Sequence, residues 1–395
     1  MKRIKLLLLS LLLAFGFTTV YADEFEITSD YAVLYNLNDP QIIYEKNSEE
    51  KTSIASLTKI MTAIVAIEEN PDLNESVTIK NKMLEGLTGY SIVGLKSGNV
   101  VTVKDLLYGA LLPSGADAVN ALAFHTSGNV NAFVLLMNNK AKELGLSNTS
   151  FQNPIGMDHD DNYSTAKDVA KLLQYALENK TFKEIFTTRN YSIDSLGLNL
   201  KSTLYGYANP FGLDISKITG AKSGFTYAAG YCLASTATIN NVDYLLVNIG
   251  SDTSSKANAV KDSLTIYNYY SSNYSYQTVL EEDVVLKTLP VKWGKVKTYD
   301  IVSNEEIQLY LKNGLDKDKI IYEYEGTEEI TSDIKKGDKL GVIKVLLEQT
   351  KLTEFNVFLE SDIEYHQPLL YIGLLCLVSF IFLVLKKSKK KRKKH

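Results

Sequence analysis

The chain is poor in the residues that many hydrolytic and metal chemistries require. It has two cysteines and four histidines among 395 residues. Cys232 lies in an apolar, strand-like stretch and Cys376 in a long apolar run near the C-terminus, so the two do not read as a pair and a disulfide scaffold is excluded. Only His125 and His159 precede residue 366, and G-x-S-x-G is absent, which argues against a Ser-His-Asp hydrolase. Asp158-His159-Asp160-Asp161 is a run of adjacent polar residues that cannot all converge on one ion, so it reads as a solvated loop. Gly220-Ala221-Lys222-Ser223 is no phosphate loop: Ala precedes the lysine, and Ser216 stands where the first glycine should be. There is no fixed-period repeat, and the only low-complexity tract is a basic tail.

Two apolar runs mark the ends. Lys2, Arg3 and Lys5 precede Leu6 to Phe17, and Val20-Tyr21-Ala22 supplies the small residues of a cleavage site, so residues 1–22 read as an export signal. From His366 to Leu385 there is no formal charge, and its strongly apolar part, Leu369 to Leu385, makes about 26 Å of helix at roughly 1.5 Å per residue, just enough to span a bilayer. Lys386, Lys387 and the run Lys389–Lys394 follow at once. They place the tail, 386–395, in the cytoplasm and everything before residue 366 outside. Without these two ends the chain has 31 basic and 46 acidic residues, a net charge of about −15. Nothing basic remains there for a nucleic-acid partner.

The exported part is expected to hold two domains. In the first, Ala32–Asn36 and Ile42–Glu45 flank a turn-forming stretch and read as a hairpin. Ser56 to Glu69 is apolar nearly all round, without Gly or Pro, and reads as a buried helix. Thr102 caps a helix through Leu112. Pro113-Ser114-Gly115 turns into another from Ala116 to about His125, and further helices run from Asn129 to Leu144 and from Thr165 to about Leu177. Tyr191 to Ile218 is irregular and reads as a long loop. Ala221–Thr226, Gly230–Thr236 and Val242–Gly250, separated by short turns, predict an antiparallel sheet, and Ser254–Tyr270 a helix. The Tyr- and Ser-rich stretch Tyr267–Gln277 reads as a linker, after which short alternating segments predict a small all-β domain. The expected boundaries are 23–276, 277–364 and a transmembrane helix 366–385.

The chemistry centres on Ser56-Leu57-Thr58-Lys59. Residues three apart share a helical face, so the serine hydroxyl and the lysine amine project side by side. A serine is a poor nucleophile until a base takes its proton, and a lysine in a low-dielectric site loses enough of its charge to be that base. Ser114-Gly115-Ala116 on a turn and Lys222-Ser223-Gly224 at a strand complete a set of three pieces. In order and spacing they match the penicillin-recognising serine enzymes, with motifs S-x-x-K, S-x-N and K-[T/S]-G. The sequence resembles the low-molecular-mass D-alanyl-D-alanine carboxypeptidases of that group. Beyond the motifs the likeness covers Ala32–Lys46, Ile54–Glu68, Val101–Ala123, Asn153–Leu173 and Gly220–Ala237.

That resemblance implies an α+β fold, a penicillin-recognising serine transpeptidase/β-lactamase-like domain of helices on an antiparallel sheet, followed by a small all-β domain. It implies that Ser56 attacks the peptide bond between two terminal D-alanines of a peptidoglycan stem peptide, with Lys59 as base and Ser114 relaying the proton to the leaving amine. Lys222 and Ser223 would hold the free carboxylate, Gly224 would let the substrate backbone lie against the strand edge, Thr226 would touch the carboxylate, and the N–H groups of Ser56 and Phe225 would form the oxyanion hole. β-Lactams would acylate the same serine. No cofactor and no metal is implied. A single C-terminal span suits a Gram-positive cell surface.

Three departures stand out: Ala116 where most members have Asn, Ser223 where threonine is commoner, and Asp252 near where some relatives have a carboxylate-binding arginine. A transpeptidase, endopeptidase or β-lactamase on the same site, or a non-catalytic wall-binding protein, are the alternatives.

Overall fold

The computed structural model describes residues 25–39, 41–365 and 368–392; the expected signal segment lies outside them. The chain divides into two compact units after Ser272.

The first unit is built on a five-stranded antiparallel sheet. Its strands are β1 (Tyr31–Asn36), β2 (Gln41–Lys46), β3 (Ile218–Thr226), β4 (Gly230–Ile239) and β5 (Val242–Ser251), in the order β2-β1-β5-β4-β3. The register sets Val33 opposite Val247, and Gly224 opposite Cys232. β3, which carries Lys222-Ser223-Gly224, is therefore an edge strand. It begins three residues earlier than expected, and its edge bears the site.

Helix α1 (Lys59–Glu69) follows a 3-10 turn, Ala55–Thr58. Every residue from Lys59 to Ile67 is buried, because the run has no polar face to turn outward. Asn70 stops it, donating its amide to the Ala66 carbonyl (2.7 Å) ahead of Pro71. Around α1 pack α2 (Val103–Leu111), α3 (Ala116–Ser127), α4 (Val130–Glu143), α5 (Ala166–Glu178) and α6 (Lys180–Thr187). Thr102 and Asp105 form a reciprocal capping box at 3.0 and 2.8 Å, whereas at α5 only Thr165 caps. Asp168 instead accepts from the Asn148 N–H and the Thr149 hydroxyl.

Alternation along the strands puts a helix on each side of the sheet. Val247 joins the core under α5, while the neighbouring Asn248 accepts from Ser263 of α8 (Asn258–Asn273). The stretch read as a long loop is more ordered than its glycines suggest: a hairpin of Asn190–Ile193 with Leu198–Lys201, then α7 (Leu204–Ala208).

The linker reading of Tyr267–Gln277 is corrected. α8 runs to Asn273, a strand begins at Tyr274, and Tyr267 and Tyr270 are buried side chains whose aromatic bulk fills the core. Up to Tyr365 the second unit is built of β-strands with one 3-10 turn, Lys317–Lys319. Tyr274–Leu280 pairs with Ile307–Lys312, Val285–Pro290 with Thr298–Val302, and Ile320–Gly326, Lys339–Leu347 and Thr350–Phe358 form a three-stranded sheet over Leu289, Ile301, Ile330, Leu340, Ile343 and Leu359.

A last helix, α9 (Pro368–Arg392), starts two residues inside the expected span and runs on into the lysines. Among the described residues no helix is long and apolar enough to cross a membrane.

Candidate active site

The 3-10 turn presents Ser56 half-exposed while the first residue of α1, Lys59, is buried. Its Nζ donates to Ser56 Oγ at 2.7 Å and to the Ile155 carbonyl at 2.7 Å. Burial, and second the charge on Lys222, hold this amine well below the usual lysine range. The turn itself is forced: Ala55 sits at φ +45°, a conformation a side chain rarely adopts.

The loop Asn153–Met157 pins that turn from outside. Asn153 Oδ1 accepts the N–H groups of Gly156 and Met157 at 2.8 Å each, and Thr62 donates to the Pro154 carbonyl at 2.7 Å. Gly156 (φ +88°) lies so close that a Cβ there would sit 1.9 Å from the Ala55 carbonyl oxygen. Gly156→Ala combines that clash with a strained φ, and is expected to lower unfolding free energy by roughly 2–4 kcal/mol. Urea denaturation measures it, and an unchanged midpoint would refute the packing described.

Ser114 forms the opposite wall in the left-handed region, at φ +63°. Such a residue costs on the order of 1–3 kcal/mol and persists only where its surroundings enforce it. Here they do. Gly115 N–H reaches the Gly109 carbonyl (2.9 Å), Ala116 N–H reaches Ser91 O (2.8 Å), and the buried Asp117 carboxylate takes the N–H groups of Val93, Gly94 and Leu95.

β3 supplies the third wall. Lys222, fully buried, donates to Ser114 Oγ at 3.0 Å and to the Ser223 carbonyl at 2.6 Å, and burial brings its amine down to about 7. Gly224 is required for a reason other than substrate passage: a Cβ there would lie 2.9 Å from Ser56 N and 3.0 Å from Ala55 Cβ. Phe225 stacks on Tyr231, with ring centroids 4.4 Å apart. The Thr226 hydroxyl donates to Asp158 Oδ1 at 2.8 Å and accepts from Ala229 N–H.

All eight residues singled out from the sequence thus lie on the three pieces that meet at the Ser56 turn. Residues 18–253 match the family described as D-alanyl-D-alanine carboxypeptidase, and residues 274–365 match the C-terminal domain of penicillin-binding protein 5. The chain belongs to the D-alanyl-D-alanine carboxypeptidase family. D-alanyl-D-alanine carboxypeptidase DacF of Bacillus subtilis is 30% identical to it over 342 residues, 84% of this chain and 85% of that one. Penicillin-binding protein 5 from Haemophilus influenzae shares its fold with a TM-score of 0.65 at 25% identity, over 87% of this chain and 99% of the other. The Streptomyces K15 DD-transpeptidase aligns at 29% identity with a TM-score of 0.57, over 63% and 98%. The fold is that of a penicillin-binding protein, with a catalytic α+β domain and a C-terminal β domain, and the enzyme is a serine-type carboxypeptidase.

Several parts of this carboxypeptidase's site carry no motif signal. The Ile155 carbonyl that holds Lys59 is a backbone atom, legible only through the turn-forming Asn153, Pro154 and Gly156. Thr203, whose hydroxyl lies 2.6 Å from Ser223 Oγ, comes from the stretch read as loop. Ala116 is fully buried at the start of α3 and presents only a methyl there. Asp252 is exposed beyond β5, and its carboxylate accepts from the Ser254 N–H at 2.5 Å, which lowers its pKa.

Proposed function

We propose that Ser56 is the nucleophile of a cell-wall D,D-carboxypeptidase that trims the terminal D-alanine from peptidoglycan stem pentapeptides. The observation that carries this is the buried Lys59 amine, 2.7 Å from Ser56 Oγ and held below the usual lysine range by its burial. The neutral amine takes the hydroxyl proton as Oγ attacks the carbonyl carbon of the penultimate D-alanine. The backbone N–H groups of Ser56 and Phe225 hold the oxyanion. Ser114, bonded to Lys222, passes a proton to the leaving nitrogen, the C–N bond breaks, and D-alanine departs. Water activated by Lys59 then cleaves the ester. Lys222 and Ser223 hold the substrate carboxylate, which restricts the enzyme to chain ends. Thr226, whose proton is engaged by Asp158, accepts that role only if the bond opens.

The reading is tested by incubating the protein with an acyl-lysyl-D-Ala-D-Ala peptide and with a fluorescent penicillin. Release of one D-alanine per peptide and stoichiometric covalent label are expected; neither appearing would refute it. A product in which an added amine replaces D-alanine would identify a transpeptidase, the activity named for the Streptomyces K15 relative.

The two lysines set a pH signature. Lys59 must be neutral, so the rate rises with pH as it loses its proton. Lys222 must be charged to bind carboxylate, so kcat/KM falls as pH rises above about 7. A bound carboxylate favours the charged form, so the falling limb of kcat lies at higher pH than that of kcat/KM. Coincident limbs would remove Lys222 from carboxylate binding.

We further infer that the uncharged run His366–Leu385, which begins ahead of α9, tethers the enzyme to the cytoplasmic membrane with its catalytic unit outside, behind a cleaved export signal. Supporting this, Tyr371 to Leu385 carry no charge, the large apolar side chains there are exposed, and lysines follow directly. Truncation after Tyr365 is expected to move the protein from the membrane fraction to the medium, as fractionation and immunoblotting would measure.

A further inference from the structure

The chain has one tryptophan, Trp293, and it lies outside every core: the indole is 67% exposed, and Val296 three residues on is 52% exposed. A lone exposed apolar residue is ordinary. The place of this pair is not. They sit at the tip of the hairpin that joins Val285–Pro290 to Thr298–Val302, in the sequence Lys292-Trp293-Gly294-Lys295-Val296-Lys297. The tip is held firmly. Val291 N–H donates to the Lys297 carbonyl and Lys292 N–H to the Ile330 carbonyl, both at 2.9 Å. Trp293 itself has φ +60°, where a bulky residue is strained, and Gly294 behind it has no room for a side chain, since a Cβ there would lie 2.4 Å from Val291 Cγ1.

The other side of the tip is tied to the end of the second unit's β-structure. Lys295 N–H donates to the Glu364 carbonyl at 2.8 Å, Gly294 and Tyr365 form a β-bridge, Lys295 Nζ pairs with the Glu364 carboxylate, and the Tyr365 hydroxyl donates to the Thr331 carbonyl at 2.7 Å. Glu364 is five residues before Leu369, where the strongly apolar run begins. Five residues reach at most about 18 Å at full extension, and less once the helix has started at Pro368. The headgroup layer on each face of a bilayer is itself roughly 5–8 Å deep. Where that run enters a membrane, the hairpin tip is delivered close to its surface.

The residues of the tip suit that layer. A tryptophan ring is apolar in body with one N–H donor, and it favours the boundary between headgroups and acyl chains. Lysines at 292, 295 and 297 have stems that lie along apolar surface and ammonium groups that reach phosphate. Lys292 has Glu329 beside it at 3.2 Å, and Lys295 has Glu364, but ion pairs this exposed are weak and exchange readily for phosphate.

We propose that the hairpin tip Lys292–Lys297 is a membrane-contact surface that seats in the headgroup layer of the bilayer entered by His366–Leu385, with Trp293 as its anchor. This rests on the tether reading given above. The contact holds the second unit against the surface and stops it swinging freely on its span. Two exposed apolar side chains do not replace the span, in keeping with the release expected on truncation after Tyr365.

Trp293 is also the probe, because no other tryptophan contributes to the emission. Full-length protein is reconstituted into vesicles of phosphatidylcholine and phosphatidylglycerol, and insertion is established first, by flotation with the lipid after an alkaline wash. In inserted protein the emission is expected to lie at shorter wavelength than in the same protein unfolded in guanidinium chloride, to be protected from acrylamide, and to lose more intensity when the lipid chains are brominated close to the headgroup than when they are brominated near their ends. Inserted protein whose indole emits as in water, open to acrylamide and indifferent to brominated lipid, would overturn the proposal and leave the tether standing. An indole protected from acrylamide but indifferent to brominated lipid would be covered by protein, which overturns it as well. Protein that fails to float with the vesicles would remove the tether, and the proposal with it.

Discussion

Ser56→Ala is expected to abolish covalent labelling by penicillin at any concentration and to reduce D-alanine release by roughly 10⁴-fold or more, the scale on which loss of a nucleophile acts. No neighbour can take over. Ser114 Oγ is held by Lys222 in a backbone conformation fixed by Gly115, Ala116 and Asp117, and Ser223 Oγ is engaged by Thr203. The fold should survive the change. Ser56 is half-exposed, its Oγ bonds to the Lys59 amine, and that amine keeps its second partner, the Ile155 carbonyl. The melting temperature should therefore move by little while activity vanishes. Gel fluorescence after labelling, read beside a D-alanine assay, measures both. Label persisting on the variant would place the nucleophile elsewhere. A variant that kept the protein's effect on cells would favour a wall-binding role over catalysis.

What could be read in advance follows a physical division. The pairing of Ser56 with Lys59 was legible because helical spacing is a local property, and the 3-10 turn that replaces the first helical turn still leaves them in contact. The strands carrying Lys222-Ser223-Gly224 were legible from alternation and short turns. Contacts made by backbone against backbone were not. In the sequence Gly224 reads as room for the substrate backbone and Gly156 carries no assigned part, yet each makes room for the Ala55–Ser56 turn across more than a hundred residues of chain. Ser114 in the left-handed region has no signature of its own, since serine gives no hint of a positive φ; the cause lies in Asp117 and the loop it ties down. Composition misled at Tyr191–Ile218 and Tyr267–Gln277. In the first, glycines punctuate a hairpin and a short helix; in the second, tyrosines that resemble linker residues are packing groups, as the buried Tyr267 hydroxyl on Ser235 illustrates.

Lys59→Arg separates a proton acceptor from a mere positive charge. Arginine keeps the charge but cannot be deprotonated in a protein, so a base at this position is lost outright. Acylation by penicillin and release of D-alanine should both slow by about three orders of magnitude, within the range for removal of a general base. If the lysine acted only by electrostatic attraction, the variant would retain most of its rate. Burial sharpens the contrast. The native amine is held well below the ordinary lysine range by desolvation and by Lys222, the direction that a base at this position requires. A guanidinium in the same enclosed space stays ionised beside Lys222 and must also fit against the Ile155 carbonyl, which is expected to cost about 1–3 kcal/mol of stability. Circular dichroism and a melting curve show whether the variant folds. In folded protein the residual activity should lose the rise with pH that the wild type shows on its acid side, since the group that titrates there is gone. A variant that acylates at near wild-type rate with that limb intact would transfer the role of base away from Lys59, with Lys222 as the remaining amine in the cleft.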